Sequence, residues 1–127
     1  MITIHRKAIF RRLQRSRKST QQGTPPAGRI PRVARLMALA IRFDQMIRDG
    51  VVVDQAELAR LGHVTRARLT QIMNLLQLAP DIQAELLIMP RIERGDARVH
   101  ERQLRPIAAV ADWRKQRIMW VQTSFPP

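Results

Sequence analysis

Arg66, Ala67, Thr70, Gln71 and Asn74 fall on one face when the stretch after Thr65 is wound as a helix, and Leu69 and Ile72 fall on the other. The side chains on the first face are polar or small. Their donors and acceptors match the edges of base pairs. Arg66 can donate two bonds to guanine O6 and N7, and Gln71 or Asn74 can pair with adenine N6 and N7. The Thr70 methyl can meet a thymine methyl, and Ala67 leaves room for close approach. Three more residues are placed for phosphates. Gln55 opens the preceding helix, where its amide and the helix dipole favour an anion. Thr65 opens the second helix, and Arg68 flanks the reading face.

Such chemistry needs two helices held at a steep angle, and residues 54–78 have the pattern. Asp54 is a good N-cap, with Glu57 three residues later completing a capping box. The first helix is expected over 55–61 and a turn over 62–64. A second, longer helix follows, capped by Thr65. Ala59 is small where the second helix must cross closely. Leu58, Val64, Leu69 and Ile72 stand where apolar residues would lock the pair. In a common helix-turn-helix, Gly occupies the middle of the turn; here Gly62 comes one residue early and His63 takes that place.

Charge points to the same partner. The chain has 127 residues and a net charge of +13. Residues 1–43 hold 11 Lys or Arg and no acid, whereas residues 44–127 sum to only +2. A polyanion is the implied partner, and double-stranded DNA fits both features. The acid-free segment 1–28 reads as a basic arm and linker. Its Arg6, Lys7, Arg11, Arg12, Arg15, Arg17 and Lys18 are expected on the DNA backbone. It is too polar and interrupted for a secretory signal, although a transit peptide shares its composition.

The remaining elements are expected to be helical. Residues 31–49 carry a stripe of Val33, Leu36, Met37, Ala40, Ile41 and Ile47, with Pro31 in the first turn and Asp49-Gly50 closing it. Val51, Val52 and Val53 form a buried connector. Pro80 ends the Thr65 helix, and Asp81 caps the next one, over 82–88. Residues 91–99 are a polar connector. A helix then starts at Glu101, with His100 as its cap, and Pro106 kinks or splits it near Arg102. Asp112 caps a last helix containing Trp113, Ile118, Met119 and Trp120. The expected fold is all-α: one compact multi-helix domain over 29–122, followed by a flexible tail over 123–127.

The stretch 55–87, QAELARLGHVTRARLTQIMNLLQLAPDIQAELL, resembles the central DNA-binding domain of ParB/KorB-type partition proteins. The shared features are Leu58-Ala59, the Gly turn, the capped helix, the run Leu75-Leu76-Gln77-Leu78-Ala79-Pro80 and the Ile82-Gln83 onset. Residues 95–105 loosely resemble the small helix that follows in that family. The resemblance implies an all-helical domain that binds a specific DNA site. It does not extend to the family's nucleotide-binding domain with its Gly-Glu-Arg-Arg signature, or to its dimerisation domain. Nucleotide switching, clamp closure and partition therefore do not carry over. A stand-alone reader, such as a transcriptional regulator or an accessory protein of a bacterial mobile element, is expected.

Other chemistries lack their residues. There is no Cys, and His5, His63 and His100 lack ligand spacing, so no metal or cofactor is expected. No phosphate-binding glycine loop and no nucleophile–base pair stands out, so no catalytic residues are assigned and an enzyme is not expected. Glu93, Asp96 and Glu101 lie among Arg91, Arg94, Arg98 and Arg102, a pattern of ion pairing. No apolar run approaches the roughly 18 residues of a membrane helix. A cytoplasmic protein, nucleoid-associated when bound to DNA, is the expectation. Trp113 and Trp120, seven apart, suit core or interface anchoring, and through them a helical protein-interaction adaptor is the alternative. A homodimer is left open; two half-sites would strengthen a lone motif.

Overall fold

The computed structural model describes residues 27–125. The chain is all-α there, with six α-helices and no strand among the described residues. They are α1 (Arg32–Arg48), α2 (Gln55–Gly62), α3 (Arg66–Met73), α4 (Pro80–Leu87), α5 (Glu101–Ala108) and α6 (Trp113–Ser124). A single 3₁₀ turn, Asn74–Gln77, continues α3. The basic residues Arg6 to Lys18 lie outside the described residues.

The core is divided in two. Val33, Leu36, Met37 and Ala40 of α1 recur at three- and four-residue spacing and pack with Leu75, Ile82, Leu86, Leu104, Ile107 and Trp120. A smaller cluster joins Met46 and Val52 to Leu58, Ala59, Leu69 and Met73. Leu76 packs against both. Each fully buried Leu contributes about 1.5–3 kcal/mol relative to exposure. Ile41, expected in the stripe, is exposed, and Met46 is buried instead. The Val connector is buried only at Val52, whereas Val53 is exposed.

α1 and α2 end in the same way. Gly50, at φ +75°, donates to Ile47, and Val51 donates to Met46. His63, at φ 55°, donates to Arg60, and Val64 donates to Ala59. Both are Schellman closures, which require a left-handed residue after the helix. His63 therefore stands in the conformation that Gly normally supplies, and it leaves Val64 exposed rather than locking the helix pair.

Further along, Pro80 does not end a helix but begins α4, with Ala79 as its N-cap. A proline at the first helical position loses no hydrogen bond, since that N–H has no intrahelical partner. Asp81 is thus inside the helix, where it pairs with Arg117 at 2.9 Å rather than capping. Gln116, fully buried on α6, binds this junction. Its Oε1 accepts from Ala79 N–H at 2.7 Å, and its Nε2 donates to Gln77 O at 3.0 Å and Val110 O at 2.7 Å. Gln83 Nε2 donates to Leu76 O and Leu78 O. The two amides satisfy the carbonyls left over where the 3₁₀ turn stops.

α5 runs unbroken through Pro106. Only the bond to Arg102 O is lost, and Arg102 is exposed to water. Its N-cap bond comes from the other direction: His100 N–H donates to Gln103 Oε1 at 2.8 Å. Asp112 does cap α6, accepting from Arg114 N–H at 2.9 Å. That helix continues to Ser124, which is buried and donates its hydroxyl to Trp120 O. Residues 123 and 124, expected in a flexible tail, are therefore helical. At the other end, Arg29 and Ile92 exchange backbone hydrogen bonds of 3.0 and 2.8 Å. Gly28 must be glycine for this close approach: at φ +87°, a Cβ there would sit 2.9 Å from Ile92 O.

Candidate nucleic-acid interface

α2 and α3 form the site, and local chemistry explains each of their ends. Asp54 is extended and accepts from Glu57 N–H at 2.9 Å, starting α2. The His63 closure stops it, and Thr65 accepts from Arg68 N–H at 3.1 Å, starting α3. Ala59 is buried, so the two helices approach over a methyl group. Leu58 and Leu69, each 1% exposed, fill the angle between them above α1. The α-helical part of α3 has eight residues, the same as α2; the expected greater length comes only from the 3₁₀ continuation.

The outward side of α3 is the sequence-expected set. Arg66, Ala67, Thr70, Gln71 and Asn74 are all exposed. Arg66, Thr70 and Asn74 make no side-chain hydrogen bond among the described residues. Gln55 is exposed at the first position of α2, where backbone N–H groups point outward.

Arg68 has a different role from the one expected. Its guanidinium donates to Glu101 through Nη1 at 2.6 Å and Nη2 at 2.7 Å, a two-pronged pair only partly open to water. Arg105 Nη2 reaches the same carboxylate at 2.6 Å. The Arg68 bonds, then those of Arg105, hold the Glu101 carboxyl down at about 2, and Glu101 raises Arg68 in turn. Arg68 is therefore a strut between α3 and α5, not a free phosphate contact. The expected ion pairing is present at Glu101, but its partners are Arg68 across the fold and Arg105 one turn along α5, not Arg98 or Arg102.

Gln71 belongs to this network. Its Oε1 accepts from Arg68 Nη1 at 3.1 Å and from Arg105 Nη2 at 3.3 Å. Reasoning from the sequence missed Glu101 and Arg105 as parts of the site. Their partners lie 33 and 34 residues away, so no local spacing marks them.

The two tryptophans do not form one surface. Trp120 is buried, and its Nε1 donates to Glu85 at 2.6 Å. Trp113 is exposed, as are Ile118 and Val121 further along α6 and Phe125 just after it. No helix is long and apolar enough to cross a membrane among the described residues, and no group of metal-binding side chains is present there. No family model, curated protein or solved structure matches this chain.

Proposed function

We propose that the protein binds a specific double-stranded DNA site, with α3 entering the major groove and α2 crossing the backbone above it. One observation carries this reading: a capped helix, set at a Schellman turn over a buried alanine, presents five exposed polar or small residues whose polar members have base-reading chemistry. Arg66 serves as the guanine reader, Thr70 and Asn74 as its neighbours, and Gln55 as a phosphate contact. The acid-free arm before residue 28 adds charge that does not depend on sequence. A ParB/KorB-like reader, serving as a regulator or accessory factor of a mobile element, is the biological setting we favour. Its place is then where the DNA is, on the nucleoid in the cytoplasm.

The test is binding to sites selected from random duplexes. Arg66→Ala is expected to weaken the selected site by about 1–3 kcal/mol and relax one base position. Removal of residues 1–20 weakens all duplexes and flattens the salt dependence. Wild-type affinity and site preference in Arg66→Ala and Asn74→Ala together would refute the reading face.

A second reading has its own observation. Ile118 and Val121 are exposed apolar residues on α6, on the side away from Gln116 and Trp120. A helical adaptor would use that face, and it would show no DNA affinity at moderate salt.

A further inference from the structure

In water, a glutamine amide turns freely and can offer either its oxygen or its nitrogen to a base. At Gln71 that freedom is removed. Oε1 faces Arg68 Nη1 and Arg105 Nη2, at 3.1 and 3.3 Å. Guanidinium groups only donate, so the amide atom turned toward them must be oxygen. Both guanidiniums are anchored on Glu101, which is itself largely shielded, with its side chain 11% exposed. Nε2 is left with its two hydrogens and no partner among the described residues.

We infer that Gln71 reads DNA as a donor only, and that Glu101 is the positioning residue that makes it so. The inference rests on the DNA-reading role proposed above. It replaces the adenine pairing that the residue type alone suggests, because that pairing requires Oε1 to accept from adenine N6. A donor-only amide fits guanine best, since N7 and O6 both accept. Thymine offers one acceptor, O4. Adenine sets its own N6 hydrogens against the amide, and cytosine presents a donor. The bound site therefore carries guanine, with thymine next, where Gln71 meets it. α5 lies outside the helix-turn-helix, yet it determines which base α3 selects.

The experiment is selection of bound duplexes from a random pool, run in parallel for the full chain and for Gln71→Ala, Glu101→Ala and Gln71→Glu. The position that loses its preference in Gln71→Ala is the one Gln71 reads. There the parent protein is expected to favour guanine over adenine at least about fivefold. Glu101→Ala frees the amide to turn and brings that ratio near one, while preferences at other positions persist. Adenine preferred by the parent, or an unchanged ratio in a folded Glu101→Ala protein, overturns the inference. If circular dichroism shows Glu101→Ala unfolded, Gln71→Glu decides. It keeps acceptors for both arginines and exchanges the donor for an oxygen, so a surviving guanine preference overturns the inference. A selected site that depends on Arg66 but not on Gln71 also overturns it while leaving the DNA-reading role intact. A pool in which nothing enriches refutes that role itself.

Discussion

Replacing Gln116 with Leu removes an amide that makes three hydrogen bonds in the interior and supplies a side chain of similar size. Its largest effect falls on Ala79, whose N–H loses its acceptor inside a residue with no exposed surface. A buried donor without a partner costs about 1–3 kcal/mol. Val110 O is half-buried and Gln77 O belongs to an exposed residue, so water can replace part of what those two lose. Together the loss comes to roughly 3–5 kcal/mol, a large share of the ~5–15 kcal/mol typical of a domain. Urea unfolding followed by circular dichroism measures it, with Gln122→Leu on the exposed side of α6 as the control. In a domain of about this size, the same loss lowers the melting temperature by roughly 15–30 °C. A decrease below about 1 kcal/mol with an unchanged urea slope would show that the junction does not depend on this amide.

Two other perturbations have definite signs. The Glu101 carboxyl sits at about 2 in the folded chain against a usual 4.5, so its ion pairs contribute roughly 3–4 kcal/mol above pH 4.5. That contribution is lost as pH falls from 4.5 through about 2. Glu101→Gln should therefore be less stable than the parent at neutral pH, with the gap closing in acid; a gap that does not change with pH would contradict the pairing. The two Schellman turns predict opposite outcomes: His63→Gly relieves left-handed strain and stabilises by about 0.5–1 kcal/mol, while Gly50→Ala introduces it and destabilises by about 1–2 kcal/mol. Thermal melts of both variants check the pair, and equal shifts would refute the comparison.

What could be read in the sequence was local. The α1 stripe, the Asp54 and Thr65 caps and the outward face of α3 depend on residues within two turns of each other. His63 in the glycine place was visible for the same reason. Pro80 and Asp81 show how local signals compete: a proline can end one helix or open the next, and here it opens α4 one residue ahead of the expected aspartate cap. Gln116 was not visible, because a glutamine four residues before a tryptophan has no mark of burial until α4 is laid beside α6. Glu101 was visible as a charge but not as a partner, since nearby arginines offered closer pairings in sequence. The apolar identity of Val64 promised burial, but the turn geometry carried it outward.

The length of α3 has a consequence for the size of any DNA site. Eight residues at 1.5 Å each extend about 12 Å, close to the width of the major groove. At 3.4 Å per base pair this reach covers three to four pairs, a word that recurs by chance about once in every 60 to 260 pairs. Under the proposed role, one copy of this helix cannot single out an address in a genome. Useful selectivity must come from joining short words: a second copy on an adjoining half-site, or a partner that holds the protein beside its target.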